Sequence, residues 1–278
     1  MTRVWQDGRI VASKEARISI ADRGFLLGDG LFETMPVHRG RVFDLDAHLA
    51  RLASGLALLN LAEAVDFVKL RAGIAAYLAV EEMDSAVLRI TITRGPGPRG
   101  LIPPEKPCPT VSMTLSPMPP ARIEPISLHV ATVTRRNELS PLSRIKALPY
   151  LDNVLALQEA RAHGAGEALL LNTRGNIACA SSANIFVIQG DRLETPPISD
   201  GALPGTMRAL VLTLAKDLGL AAAETPLSVE CLAEADEVFL TNAIRRVIAV
   251  RACNGTKVGD RAGRALERLR ALIAARVD

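Results

Sequence analysis

The sequence predicts a mixed α/β chain built as two domains. Two observations carry that expectation. Segments of strand period recur between segments of helical period along all 278 residues, and a Pro-rich stretch, Ser116-Pro-Met-Pro-Pro-Ala121, interrupts them near the middle. The composition sets the class: 49% hydrophobic and 23% charged residues describe a globular chain with ample core. The predicted domains are residues 1–117 and 124–278, joined by a linker at 118–123.

The elements follow in order. Val4-Trp5-Gln6 and Arg9-Ile10-Val11 flank Asp7-Gly8, a pair that a two-residue hairpin turn favours. A loop over 22–30, rich in Gly and Asp, leads into an apolar strand at 31–37, and Arg39-Gly40 reads as the next turn. Asp44 or Asp46 is placed to cap a helix whose leucines, at 45, 49, 52, 56 and 59, recur by steps of four and three; His48 and Arg51 lie near its start. Residues 62–80 carry a second helical pattern. The run Leu-Arg-Ile-Thr-Ile-Thr at 88–93 alternates strictly, as a half-buried strand does, and ends in the loop Gly95-Pro-Gly-Pro-Arg-Gly100. A strand at 110–115 precedes the linker.

The second half opens with a strand near 126–134. A helix is expected at 149–163, then a buried strand at 167–171 turning at Arg174-Gly175. Residues 184–188 and 192–195 form a hairpin across Gly190-Asp191. Leu203-Pro-Gly-Thr206 precedes a helix that runs to 218, a strand at 238–241 leads into Asn242-Ala243, a last strand pair turns at Asn254-Gly255, and a helix closes the chain.

Some function classes are disfavoured at once. The net charge is only +3, the basic residues are scattered, and no basic run is interleaved with stacking rings, so nucleic acid is not an expected partner. Cys108, Cys179, Cys231, Cys253 and the four histidines share no ligand spacing, so no metal is expected. Unpaired cysteines fit a reducing compartment. Charged residues interrupt the first twenty positions, and no stretch reaches the roughly 20 apolar residues that span a bilayer. A soluble, cytoplasmic protein is the expectation.

One residue stands out chemically. The chain has six lysines against twenty-seven arginines, and five of the lysines lie in turns or beside other charges. Lys146 instead sits in Ser143-Arg-Ile-Lys-Ala-Leu-Pro-Tyr150, with apolar neighbours on both sides. A lysine amine in apolar surroundings is more readily neutral and can form a Schiff base; the same pattern also suits a lysine snorkelling out of a partly buried segment. Gly205-Thr206-Met207, at a helix start, offers backbone N–H groups and a dipole to an anion, or is simple helix punctuation. Asn242-Ala243 could offer a second set of N–H groups. Arg51 could supply a bidentate charge partner or be an ordinary exposed helix arginine. Together these residues would suit a phosphorylated aldehyde.

Six motifs then come in a fixed order: Asp22-Arg-Gly-Phe-Leu-Leu-Gly-Asp-Gly-Leu-Phe-Glu-Thr34, His48-Leu-Ala-Arg-Leu52, Ile92-Thr-Arg-Gly95, Ile145-Lys-Ala-Leu-Pro-Tyr-Leu-Asp-Asn-Val-Leu-Ala156, Ser182-Ala-Asn-Ile-Phe186 and Leu203-Pro-Gly205. The set resembles the class IV aminotransferases, the fold-type IV enzymes that use pyridoxal 5′-phosphate (PLP), from about residue 3 to residue 260. The resemblance implies two mixed α/β domains of the D-amino acid aminotransferase-like type and a homodimer. It implies that Lys146 forms a Schiff base with PLP and then moves a proton between the substrate Cα and the cofactor. It further implies that Arg51 binds the phosphate with the N–H groups of Thr206, Met207 and Asn242-Ala243. Leu203 would pack on the pyridine ring, with Ser182 and Asn184 lining the strand beside it.

Two positions depart from the family pattern. Cys179 stands where the family has a glutamate that pairs with the pyridine nitrogen and keeps it protonated, strengthening the electron sink. A thiol is a weak hydrogen-bond group and a thiolate would be needed to supply charge. In the loop after 95, Arg99 matches an arginine that traps the substrate carboxylate in D-amino acid aminotransferases, but Leu101 and Phe32 replace a histidine and a tyrosine that act with it. Deoxychorismate lyases also have an arginine in this loop, and their Asn-Ala pair resembles Asn242-Ala243. The expected function is therefore PLP-dependent transfer of an amino group between a small amino acid or amine and a 2-oxo acid. The alternatives are 4-amino-4-deoxychorismate lyase, which expels pyruvate and leaves 4-aminobenzoate, and a weakly active PLP-binding protein.

Overall fold

In the computed structural model, which describes residues 3–121, 124–259 and 264–277, Asp7 and Gly8 both take positive φ, 48° and 89°. They join β1 (Arg3–Gln6) to β2 (Arg9–Ala12) in the hairpin that the sequence predicts. The chain divides into two units: Met1–Pro119 with Ile145–Pro149, and Pro120–Arg144 with Tyr150–Asp278. Residues 145–149, which the sequence reading assigns to the second domain, thus return to the first unit. Residues 122–123 of the expected linker lie outside the described residues, as do 1–2, 260–263 and 278 of the expected domains.

The first unit continues with α1 (Arg23–Leu27), β3 (Gly30–His38), β4 (Arg41–Val42), α2 (Leu45–Leu58), α3 (Phe67–Glu81), β5 (Ser85–Thr93) and β6 (Thr110–Pro117). Among the described residues its six strands run in the order β2-β1-β6-β5-β3-β4, with all neighbouring pairs antiparallel. Leu31, Met35, Leu88, Ile90, Ile92 and Met113 pack with Leu49, Leu52 and Leu56 of α2 and Leu70, Ile74 and Tyr77 of α3 in one core. The register decides what else shares that face. Glu33 pairs with Ile90 and so lies on the core side, whereas Phe32 pairs with Thr91 and Thr34 with Arg89 on the opposite side.

Local chemistry explains where these helices depart from expectation. Asp44 precedes α2 with a left-handed backbone, φ 55°, and its side chain makes no cap bond. The second helix starts at Phe67, because the Asp66 side chain accepts the N–H groups of Val68 and Lys69; residues 62–64 form a separate 3₁₀ turn. The predicted loop at 22–30 contains α1, capped by Asp22 and closed by Gly28 at φ 68°.

The second unit contains β7 (Ile126–Val130), α4 (Leu151–Ala162), β8 (Glu167–Leu171), β9 (Ile177–Ala180), β10 (Asn184–Gln189), β11 (Arg192–Thr195), α5 (Thr206–Leu214), β12 (Ala221–Glu224), α6 (Cys231–Glu234), β13 (Glu237–Asn242), β14 (Arg246–Cys253), β15 (Thr256–Lys257) and α7 (Arg264–Val277). Among the described residues nine strands make one sheet, ordered β12-β11-β10-β13-β14-β7-β8-β9 with β15 on β14. The β11–β12, β14–β7 and β7–β8 pairs are parallel, so the sheet is mixed. The strand predicted at 126–134 stops at 130, and the helix predicted to reach 218 becomes a 3₁₀ turn after Leu214. No helix among the described residues is long and apolar enough to cross a membrane.

Candidate active site

In the first unit, the segment carrying Lys146 is fixed by backbone bonds to β3. Phe32 N–H donates to the Lys146 carbonyl at 3.0 Å, Leu148 N–H donates to the Gly30 carbonyl at 3.0 Å, and Leu31 bridges Ala147. Ile145 and Ala147 enter the core, so alternation turns Lys146 to the other face. Its Nζ lies over the Phe32 ring, 4.3 Å from the centroid, and the Arg89 guanidinium lies over the same ring at 4.0 Å. Such contacts contribute roughly 0.5–1 kcal/mol each at exposed sites and hold the ring in place.

On the core side of the same strand, Glu33 is completely buried. It accepts Arg51 Nε and Nη2, each at 2.7 Å, on its two oxygens, and His48 Nδ1 lies 2.8 Å from Oε2. Burial pushes the carboxyl of Glu33 up, but the bonds from Arg51 and His48 outweigh it and bring it down to about 2. An ionised carboxylate only accepts, so His48 Nδ1 carries the proton of that bond. The two-pronged bond fixes the plane of the Arg51 guanidinium. Arg99 and Leu101 lie apart from this cluster in sequence and are exposed on the loop after β5.

In the second unit, Gly205 precedes α5 with an extended backbone, φ −71° and ψ 137°, and no side chain caps the helix. Thr206 and Met207 are buried at this N-terminus, where N–H groups and the dipole favour an anion. Asn184 Nδ2 donates to the Leu203 carbonyl at 2.9 Å, and a Cβ at position 205 would stand 2.1 Å from Asn184 Oδ1. Only glycine therefore lets the turn rest on Asn184. Asn242 Oδ1 accepts the N–H groups of Ile244 and Arg245, and its Nδ2 donates to the Ser182 carbonyl, so its carboxamide is committed to shaping the turn after β13. The Ser182 hydroxyl is likewise engaged, donating to Glu167 at 2.8 Å.

Cys179 lies in β9, buried among Ala131, Ala156, Ala160, Ala168, Leu170 and Ala178. Burial pushes its thiol up, the Arg136 charge pulls in the opposite direction, and Glu167 adds to the rise. The group is a neutral thiol at neutral pH. Glu167 itself accepts Ser181 Oγ, Ser182 Oγ, Arg245 Nη2 and the Ala168 N–H. That carboxylate is thus spent inside the unit.

Sequence reasoning left out the grouping of Glu33 with His48 and Arg51, and the grouping of Glu167 with Arg245. The first had a signal: His48 and Arg51 lie three apart beside Leu49 and Leu52, so polar residues share a helix with a leucine stripe. The second had none, because its partners are 78 residues apart.

The first unit offers an amine at Lys146 and a guanidinium at Arg51 fixed by Glu33; in the second unit the start of α5 offers backbone N–H groups and a dipole that favour an anion. The Amino-transferase class IV family model matches residues 30–253. A D-alanine aminotransferase of Bacillus licheniformis is 28% identical over 265 residues, covering 93% of this chain and 90% of that protein. The crystal structure of 4-amino-4-deoxychorismate lyase from Pseudomonas aeruginosa has a TM-score of 0.87 at 32% identity, covering 98% of each chain. Branched-chain amino acid aminotransferase of Escherichia coli reaches 0.92 at 26% identity, covering 99% of this chain and 94% of that one. The chain belongs to the class IV aminotransferases, and its fold is that of the fold-type IV enzymes. Enzymes of this family use PLP.

Proposed function

We propose that this chain is a PLP-dependent aminotransferase that moves an amino group between a small amino acid or amine and a 2-oxo acid. The observation that carries the reading is Lys146, held by backbone bonds to β3 with its amine over the Phe32 ring. When bound, PLP supplies an electron sink for the carbanion at the substrate Cα. Lys146 would hold the cofactor and would move a proton at the substrate Cα. Arg51, oriented by Glu33, would neutralise the phosphate, and the N–H groups of Thr206, Met207 and the Asn242-Ala243 turn would donate to it. Leu203 would line the ring, with Ser182 and Asn184 holding the adjoining backbone. Phe32, Arg99 and Leu101 are assigned to the substrate.

The lyase is the second reading. It is favoured by Arg99 and Asn242-Ala243 together with the similarity to the Pseudomonas lyase. A panel of D-, L- and aromatic amino donors against common 2-oxo acids separates the two. The transferase reading expects at least one donor–acceptor pair to turn over. Release of pyruvate and 4-aminobenzoate from aminodeoxychorismate, with no transfer from any donor, would reverse the preference. Cys179 supports a third, weaker possibility of PLP binding with little turnover, which the same panel exposes.

A homodimer is part of this reading. Ile20, Phe25, Leu26, Leu101 and Ile102 are exposed in the first unit, a large apolar display for a free surface. The cytoplasm is the proposed compartment, supported by four free cysteines.

A further inference from the structure

Arg23 has no part in the chemistry above, yet it is among the most buried charges of the first unit, its side chain 5% exposed. Its Nε donates to Asp29 Oδ2 at 2.9 Å. Its Nη1 donates to the Gly100 carbonyl at 2.9 Å and reaches the Ile102 carbonyl at 3.5 Å, and its Nη2 donates to the Leu101 carbonyl at 2.9 Å. The same Asp29 oxygen accepts Arg94 Nε at 2.8 Å, and Arg94 Nη2 donates to the Leu59 carbonyl at the end of α2. Burial works against the Asp29 carboxylate, but its two arginines hold it below the usual range. Asp29 is thus an ionic anchor between two guanidinium groups, one tied to a helix end and the other to a loop.

The loop in question is the one that carries Arg99. Its base is zipped to the start of α1: Arg23 N–H donates to the Gly95 carbonyl, Gly97 N–H to the Ala21 carbonyl, and Asp22 bridges Pro96. A Cβ at Gly97 would meet the Arg23 side chain at 2.8 Å, so the approach requires glycine there. Beyond the base the side chains give no support, since Arg99, Leu101 and Ile102 are all exposed. The tip is held from beneath, through its carbonyls, by a single guanidinium. A lysine has no planar fork and cannot span the same acceptors.

We propose that Arg23 is a positioning residue: braced by Asp29, it presets the backbone of residues 100–102 and so the approach of Arg99 to a substrate carboxylate. The proposal rests on the reading of Arg99 as the carboxylate-binding residue. Its test compares PLP-loaded wild type, Arg23→Lys, Arg99→Gln and the double variant. Hydrogen exchange is followed over residues 97–104, and pyruvate affinity is measured by calorimetry. Arg23→Lys is expected to speed exchange in that loop and to weaken pyruvate about tenfold, the loss of roughly one charged hydrogen bond. In the Arg99→Gln background the same change is expected to move pyruvate affinity less than about twofold, because coupled residues are not additive. Unchanged exchange in Arg23→Lys, or an equal loss of affinity with and without Arg99, would overturn the proposal. Faster exchange with pyruvate affinity intact in Arg99→Gln would instead overturn the reading of Arg99. Should Arg23→Lys not fold, Asp29→Asn releases the clamp from its other end and is expected to speed the same exchange; unchanged exchange there would also overturn the proposal.

Discussion

The two units place charge differently around the residues assigned to the cofactor. In the first, a carboxylate, a guanidinium and an imidazole are packed together between a strand and a helix, with Glu33 and His48 almost wholly buried. In the second, Cys179 is set among alanines, and the carboxylate that influences it, Glu167, is occupied by Ser181, Ser182 and Arg245. A buried ionic fork is costly to assemble and is rigid once assembled, which suits a cation that must meet a phosphate in one orientation. A buried neutral thiol is inexpensive to bury but transmits no charge to a pyridine nitrogen. On the proposed reading, the chain separates two tasks: Arg51 would grip the cofactor phosphate with strong electrostatics, while Cys179 would leave the ring's electronics weakly supported.

The contrast is broken most severely at Glu33. Replacing it by Gln leaves Arg51 nearly buried without its counterion, and a loss of about 3–5 kcal/mol in urea unfolding is expected at neutral pH. Acid sharpens the test. The folded carboxyl titrates at about 2 against an ordinary 4.5. Its stabilisation is therefore complete above the ordinary value and is lost as pH falls from there toward about 2. The stability gap between wild type and Glu33→Gln should close across that window; a gap independent of pH would remove the ionic account.

A smaller effect is expected from repairing the second unit. Cys179→Glu introduces the missing charge, and single-turnover kinetics should show amino-group transfer about tenfold faster, with a changed cofactor absorbance. An unchanged spectrum and rate would mean that the ring does not depend on this position. The smallest change is expected at Asn184→Ala, which deletes one hydrogen bond to the Leu203 carbonyl. Apoprotein titrated with PLP should bind about fivefold more weakly, corresponding to roughly 1 kcal/mol; equal affinity would show that the turn before α5 needs no support from β10.

These regions were unequally legible in the sequence, for physical reasons. The hairpin at Asp7-Gly8 and the alternation of 88–93 are local signals, and β1, β2 and β5 form where they fall. The strand β9 is not legible in the sequence, because it has only four residues, Ile-Ala-Cys-Ala, and alanine favours strands weakly. Helix α1 has five residues, too few to show helical period. Lys146 could be singled out by its apolar neighbours, and Cys179 by its place in a motif. The Glu33–His48–Arg51 cluster depends on how a strand packs on a helix, and the Arg23 clamp on how a loop folds back over a helix start. The His48–Arg51 spacing is local, but the pairings of both with Glu33, and of Arg23 with residues 100–102, cross sequence distances that leave no local trace.

The most direct test of the account is borohydride reduction of the PLP-loaded protein followed by peptide mass mapping. The cofactor mass is expected on the peptide that contains Lys146, and Lys146→Ala should retain none after denaturation. A protein that binds no PLP, or one in which reduction marks a different lysine, would contradict the central claim.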